Sequence, residues 1–453
     1  MSDSIAPIPD ASAEVIDGTT STRTTSGATR ISARGAVVGS VASGLVGQAA
    51  LVITGVVTTR ALGATDRGYL ALVVLVAVVL QLIGTLGLPV AATYFIASDR
   101  RHEASVLRAI RLPALLQVGV LSVLQALILW ALVSGEPTRV WWAAVATLPL
   151  LAGLLADMYG KAILQGQARY TAFNVLRNGS VTLYLIGVIV LLATGLTGLA
   201  EFTIAWVAAS LLAGALSLFV ALKHRAPEST NAGVTRNDLF RYGLKGYLVS
   251  LSPVATFRLD QALIGLFLAP RALGLYVAAL SLTNLPDIIA RGIGMIALPQ
   301  VARARGAARV LDFRRYITFT ILLTGLAVVA LEILAGWLVP LFFGSEFEDA
   351  VLITRILLIG TFFWGVRRVL TDATSGSGRP GLGSIAELAS WVVVVPALAV
   401  LMPRWGVEGV AAAITISSAA SLVVLLLLVL HSNRSARTDV AGSGSSRPAE
   451  VID

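Results

Sequence analysis

The chain has 453 residues, of which 56% are hydrophobic and only 13% are charged, and its formal net charge is +9. Soluble globular proteins carry about 25% charged residues, so this composition excludes an ordinary water-soluble domain. The absence of cysteine excludes disulfides, thiolate metal sites and cysteine nucleophiles. The three histidines fall in predicted loops or at helix ends, which disfavours histidine-based catalysis. We therefore expect a membrane protein that is not an enzyme and uses no cofactor.

Apolar segments recur along the chain between two polar tails. Residues 1–34 are rich in Ser, Thr, Asp and Gly and lack an apolar run, which predicts a disordered cytosolic tail rather than a signal peptide. Residues 431–453 have a similar character. Between the tails, apolar stretches of about 20 residues predict an all-α polytopic protein with about 12 transmembrane helices. The predicted spans are 35–59, 69–97, 112–133, 140–160, 173–194, 198–222, 243–268, 274–300, 316–339, 350–375, 382–402 and 406–430.

The distribution of basic residues predicts the orientation of these spans. With the N-terminus placed inside, the inner tails and loops contain 22 Arg and Lys residues, and the outer loops contain 5. Positive residues concentrate on the cytosolic side of membrane proteins. Both termini are therefore predicted to be cytosolic.

The longest predicted inner loop lies near the middle of the chain and divides it into two halves. This division predicts an N-terminal six-helix lobe at 35–222, a cytosolic linker at 223–242 and a C-terminal six-helix lobe at 243–430. Similar short turns, Leu62–Tyr69 and Leu268–Tyr276, follow the first span of each half. The six-helix lobes are therefore predicted to be pseudo-repeats related by an axis along the membrane normal. Such an arrangement places a substrate between them, near the middle of the bilayer.

The seventh predicted span carries polar residues on one face. At 100° per residue, Lys245, Ser252, Thr256 and Asp260 fall within about 80° of each other, whereas Arg258 points to nearly the opposite face. Ionisable residues inside a membrane are costly and mark functional sites. This stripe is typical either of a water-filled cavity wall or of a polar seam between packed helices.

Other charges within the spans have alternative interpretations. Asp287 and Arg291 are four residues apart and can pair along one helix, or Arg291 can face a substrate. Arg177, and two of Arg367, Arg368 and Asp372, could reach the lipid headgroups from the inner ends of their spans. Glu332 and Glu387 are predicted to be isolated acids, and either could bind a proton or a sodium ion.

Several short motifs are spread over about residues 35–430. They are Thr59–Gly63 with Gly68-Tyr69, Leu164-Gln-Gly166, Asp260–Phe267 with Leu273–Tyr276, Pro340–Ala350, and Trp405–Gly409. In their order and spacing these motifs resemble those of polysaccharide exporters. The chain resembles the oligosaccharide flippases of the multidrug/oligosaccharidyl-lipid/polysaccharide (MOP) exporter superfamily.

The resemblance implies a V-shaped pair of lobes with alternating access in the cytoplasmic membrane of a bacterium. It implies export of an undecaprenyl-diphosphate-linked oligosaccharide from the inner to the outer leaflet, for cell-surface polysaccharide biosynthesis. A proton or sodium gradient would supply energy. The implied partners are the anionic lipid-linked oligosaccharide, membrane lipids, and glycosyltransferases or a polymerase of the same pathway, with no nucleic acid. Arginine suits the diphosphate, and the implied cavity residues are Arg60, Arg177, Lys245, Arg258 and Arg291.

Other functions compete with this interpretation. A cation-coupled multidrug exporter of the same superfamily would favour an acidic cavity, whereas the charges within these spans are mostly basic. A lipid II flippase of the superfamily would have fourteen spans. A polymerase or glycosyltransferase would show a long outer loop or a soluble domain with carboxylates, and the sequence has neither. A scaffold that transports nothing is a further alternative.

Overall fold

A computed structural model of the protein describes residues 33–223, 233–249, 258–303, 306–377, 379 and 381–443, and the chain in these ranges is almost entirely helical. Long helices alternate with short ones and with two single 3-10 turns. The helices are α1 (Ala33–Gly84), α2 (Leu88–Ser98), α3 (Glu103–Val133), α4 (Thr138–Ala146), α5 (Leu150–Gly166), α6 (Tyr170–Leu176), α7 (Gly179–Thr194), α8 (Leu199–Lys223), α9 (Arg236–Val249), α10 (Leu259–Phe267), α11 (Pro270–Arg303), α12 (Gly306–Phe343), α13 (Ala350–Gly376) and α14 (Gly381–Ser443).

Nine segments of the described chain are helical, long enough and apolar enough to cross a membrane. The protein is thus a multi-pass, all-α membrane protein, as its hydropathy predicts. Two of the nine segments contain a residue with non-helical backbone angles at which two helices meet. These residues are Gly63, with φ 71° and ψ 174°, and Gly406, with φ 56° and ψ −129°. The number of about twelve spans stays a prediction, since part of the seventh, 243–268, lies outside the described residues.

Helix α14 folds back on itself at Gly406. The hydroxyls of Ser390 and Ser417 lie 2.8 Å apart, and Ser421 Oγ donates to the carbonyl oxygen of Ala386 at 2.6 Å. Residues before and after the glycine therefore pair in antiparallel order. The structure thus agrees with the two spans, 382–402 and 406–430, that hydropathy predicts here.

The two serines supply a testable contribution to stability. We expect Ser390→Ala and Ser417→Ala each to lower the free energy of unfolding by about 1 kcal/mol, because each removes a buried hydrogen bond between helices. The double variant should cost less than the sum of the single variants, since they share one interaction. Reversible unfolding in detergent micelles measures all three, and additive effects would contradict the pairing.

The second predicted span, 69–97, is not one continuous helix. Helix α1 ends at Gly84 and α2 begins at Leu88, with Leu86 and Gly87 at φ 49° and 72°. The side-chain amide of Gln117 donates to the carbonyl oxygen of Gly84 at 3.0 Å, which satisfies a backbone group freed by the break. The prediction of one span over 69–97 was wrong in this respect, because hydropathy carries no information about the left-handed backbone angles at Leu86 and Gly87.

The seventh predicted span is also interrupted. Helix α9 ends at Val249 and α10 starts at Leu259, directly after Arg258 with left-handed φ 43° and ψ 47°. A single helical wheel from Lys245 to Asp260 therefore does not describe this segment. Ser252 and Thr256 lie outside the described residues, as does the side chain of Lys245.

The helices pack in two groups that meet along α1 and α11. Residues of α1–α9 form two hydrophobic clusters. Residues of α10–α14 form three others, one of which also includes Ala64 and Leu72 of α1. At this junction a Cβ on Gly68 would overlap the Pro270 carbonyl oxygen, and a Cβ on Gly274 would overlap that of Ala64. Glycine at both positions therefore permits direct backbone contact between α1 and α11.

Further contacts reinforce this junction at the end that the sequence predicts to be outer. Glu346 Oε1 accepts a hydrogen bond from the backbone N–H of Ala64 at 3.1 Å. Arg60 Nη1 donates to the carbonyl oxygen of Leu341 at 3.1 Å, and Arg271 pairs with Asp349 at 3.1 Å. We call this region, with Gly68, Pro270 and Gly274, the closed end.

Candidate functional site

A cavity of about 410 Å³ lies between the two groups of helices, a size typical of ligand pockets. Its walls come from α1, α5, α7 and α8 on one side and from Arg258, α10 and α11 on the other. Many side chains that line it can form hydrogen bonds, among them Gln48, Thr54, Thr58, Ser180, Ser281 and Asn284. The cavity therefore joins both halves of the chain, and hydrogen-bonding groups lie among the apolar side chains of its wall.

Three arginines line the cavity: Arg67 from α1, Arg258 from the start of α10, and Arg291 from α11. No aspartate or glutamate is among the described residues of its wall. Cations that line one cavity repel one another, and an anionic ligand offsets that repulsion. The cavity therefore suits an anion rather than a cation.

Arg67 is the most enclosed of the three arginines. Its exposed fraction is 9%, and its Nε donates to Thr59 Oγ1 at 3.2 Å. Thr59 and Arg67 lie on opposite sides of Gly63, so the turn at this glycine positions the guanidinium. Among the described residues, no salt bridge to Arg67 forms, which leaves its charge available to a ligand.

Arg258 enters from the opposite side of the cavity. Its left-handed backbone costs on the order of 1–2 kcal/mol for a residue other than glycine. Unfavourable backbone conformations of this kind cluster at binding sites. The side chain is exposed, and its Nη1 donates to Gln261 Oε1 at 3.5 Å. Because Arg67 and Arg258 line the cavity from opposite groups of helices, a ligand there can contact both groups.

Arg291 differs from the other two arginines because it has a carboxylate partner. Arg291 and Asp287 form a salt bridge with an N–O distance of 2.6 Å, in the i,i+4 arrangement that the sequence predicts. Arg291 nevertheless lines the cavity, so the pairing with Asp287 is confirmed and contact with a substrate stays a prediction.

The remaining predicted site residues lie elsewhere. Asp260 is 3% exposed and accepts a hydrogen bond from Tyr276 Oη at 2.7 Å, outside the cavity wall. Arg60 belongs to the closed end. Arg177 also lies outside the wall, with its guanidinium near Gly44 of α1. Arg258 and Arg291 line the cavity among the five predicted residues whose side chains the structure describes.

Two charges farther from the cavity differ from their predicted state. Arg367 is 6% exposed, and its guanidinium forms a salt bridge with Glu387 at 2.6 Å and lies 4.5 Å from the ring centre of Trp364. Arg367 therefore does not extend to the headgroups, and Glu387 is not isolated. The pair joins α13 to α14. Sequence spacing could not show this, because the two residues are 20 positions apart on different helices.

Arg67 is the one of the three cavity arginines that the sequence pattern does not predict. It was assigned to the outer loop after the first span, where a basic residue has no special meaning. In the structure only Gly63 interrupts the helix, so Arg67 lies on the second arm of α1 and reaches inward. The shortness of this turn could have predicted the inward position of Arg67, because it leaves little room for an extended loop. Among the described residues, no cluster of three or more metal-ligating side chains occurs.

A helical membrane protein with a cavity between two groups of helices is typical of a transporter. A sequence model of the family described as "Polysaccharide biosynthesis protein" matches residues 33–305, more than half of the chain. The chain belongs to this family, which confirms the predicted resemblance.

Individual relatives agree with this assignment. The chain is 24% identical over 191 residues to the probable low-salt glycan biosynthesis flippase Agl15 of Haloferax volcanii, a match that covers 41% of this chain and 40% of that protein. The fold of this chain is similar to that of the lipid II flippase MurJ in an inward closed conformation. The TM-score is 0.69, the identity is 15%, and 86% of each chain is covered.

The fold is equally similar to an inward-facing multidrug resistance MATE family transporter of the MOP superfamily. That comparison has a TM-score of 0.69 and 15% identity, and it covers 88% of this chain and 96% of the other. The chain therefore has the fold that these two membrane transporters share.

Proposed function

We propose that this protein moves an undecaprenyl-diphosphate-linked oligosaccharide from the inner to the outer leaflet of a bacterial cytoplasmic membrane. The observation that carries this proposal is the cavity in which Arg67, Arg258 and Arg291 converge without a carboxylate in its described wall. Guanidinium groups bind phosphate oxygens through paired, charge-assisted hydrogen bonds. The adjoining amide and hydroxyl groups suit the hydroxyls of a sugar.

The mechanism that we propose is alternating access. The six-helix lobes at 35–222 and 243–430 would move against each other, with both termini in the cytosol. A diphosphate that contacts Arg67 and Arg258 at once would join the two lobes and offset the repulsion between these cations. Opening of the closed end would then expose the substrate to the outer leaflet, and a proton or sodium gradient would drive the cycle.

Two alternatives from the same superfamily make different demands on the cavity. A multidrug exporter for cationic drugs is disfavoured, because no acid occurs in the described cavity wall. A lipid II flippase is compatible with the arginines, since lipid II also carries a diphosphate. The glycosyltransferases or polymerase of the oligosaccharide pathway remain proposed partners.

A reconstitution experiment tests the proposed function. The full chain is placed in liposomes that contain a fluorescent undecaprenyl-diphosphate oligosaccharide, and a membrane-impermeant quencher reports its transfer between leaflets. We expect transfer above that of protein-free liposomes, with parallel samples for lipid II, for a cationic dye, and for proton and sodium gradients. Transfer of the dye alone by well-folded protein would contradict the proposal, and faster transfer of lipid II would identify the second alternative.

A further inference from the structure

A second, smaller pocket of about 120 Å³ opens from the main cavity, and we call it the side pocket. The two spaces have Arg67, Val78, Trp206, Arg258, Gln261 and Val277 in common. The arginines therefore stand at the boundary between the main cavity and the side pocket.

The inner wall of the side pocket is apolar. Leu70, Ala71, Val74 and Leu75 line it but not the main cavity, and they follow Arg67 along the second arm of α1. Their spacing places them on one face of the helix, within about two turns of the arginine. A charged group and an apolar surface thus follow each other along one helix.

This arrangement matches an amphiphile in which phosphate is directly bonded to an apolar chain. The phosphate would meet the guanidinium groups of Arg67 and Arg258, and the next carbons would enter the side pocket. Burial of each methylene contributes about 0.8 kcal/mol, so a few carbons change affinity by an order of magnitude. A free sugar diphosphate would gain nothing from the apolar wall.

We propose that the side pocket binds the first carbons of the substrate's lipid chain, beside the phosphate held by Arg67 and Arg258. This inference rests on the proposed function and adds to it a reason why the protein selects lipid-linked diphosphates. The side pocket thereby determines specificity for the lipid, whereas the main cavity accommodates the sugar.

Two probes that differ only in the apolar chain test the side pocket. Geranyl diphosphate and methyl diphosphate are bound to the full chain in detergent, and their dissociation constants are compared. We expect the wild type to bind geranyl diphosphate at least about tenfold more tightly. Ala71→Phe should fill the side pocket and remove most of this preference, while affinity for methyl diphosphate changes less than about twofold.

Ala126→Phe is the matched control. Ala126 lines a separate pocket between α3 and α4, so the same substitution there should leave the preference for geranyl diphosphate unchanged. Equal binding of both probes to the wild type, or a preference that survives in folded Ala71→Phe, would overturn the side-pocket inference alone. Failure of the wild type to bind either diphosphate would instead count against the proposed function.

A measurement on the wild-type chain covers the case in which Ala71→Phe does not fold. A geranyl diphosphate analogue with a diazirine on its first isoprene unit is cross-linked to the protein, and the labelled peptides are identified. We expect labels within residues 70–78 of α1 that methyl diphosphate in excess reduces. Labels found only in other segments would overturn the inference.

Discussion

Replacement of Arg67 by alanine is expected to slow transfer of the lipid-linked oligosaccharide about 100-fold. Arg67 is buried, faces the cavity and has no salt-bridge partner among the described residues. Loss of its charge-assisted hydrogen bonds to phosphate should cost on the order of 3 kcal/mol. Each 1.4 kcal/mol corresponds to about a factor of ten in rate or affinity. Transfer in proteoliposomes, measured at equal protein content, gives the rate.

The conservative variant and a control sharpen this prediction. Arg67→Lys keeps the charge but cannot pair bidentately with phosphate, so it should recover only part of the rate. Arg139→Ala is the control, because Arg139 is exposed and pairs with Asp66 outside the cavity. Surface pairs contribute about 1 kcal/mol or less, so this variant should transfer substrate normally. Wild-type rates in folded Arg67→Ala would remove the arginine from the mechanism.

Substitution of Gly274 by valine is expected to abolish transfer by preventing the closed end from forming. The valine Cβ would overlap the carbonyl oxygen of Ala64, and backbone atoms cannot move aside as a flexible side chain can. Helices α1 and α11 would have to separate, which favours a conformation open at the predicted outer side. Because transport needs both conformations in turn, a protein held in one of them cannot complete the cycle.

Chemical labelling can detect this shift directly. The chain has no cysteine, so a single cysteine at Ser281, which lines the cavity, can be labelled without background. In the Gly274→Val background, an impermeant maleimide added at the outer side should label this position faster than in the wild-type background. Gly292→Val is the matched control, because no described atom of another segment lies within 4 Å of a Cβ placed on Gly292 of α11. Equal labelling in all three backgrounds would contradict the proposed role of the closed end.

Hydropathy and charge were sufficient to predict the helical class and most spans, because a bilayer requires long apolar helices whatever their partners. They also predicted the pairing of Asp287 with Arg291, since that contact depends only on local helical geometry. The spans that met at Gly406 were separated correctly because Pro403 and Arg404 interrupt the apolar run.

The site was harder to predict, since it depends on which helices meet. Arg67 was assigned to a loop because only Gly63 separates two helical arms. The polar stripe predicted for the seventh span requires one continuous helix, but Arg258 interrupts the helix there. Asp260 instead accepts a hydrogen bond from Tyr276. Glu387 lacked an evident partner because Arg367 comes from another helix. In each case the deciding contact was tertiary.

The glycine contacts at the closed end determine how the closure of this end depends on pH and ionic strength. Gly68 and Gly274 join α1 and α11 through uncharged backbone atoms, and such contacts gain energy from dispersion and weak Cα–H···O interactions. Neither contribution depends on proton concentration or ionic strength. The adjacent salt bridge of Arg271 and Asp349 is exposed and is screened by salt. The glycine contacts in the barrier between the cavity and the outer medium are therefore expected to hold equally well in dilute and in saline surroundings.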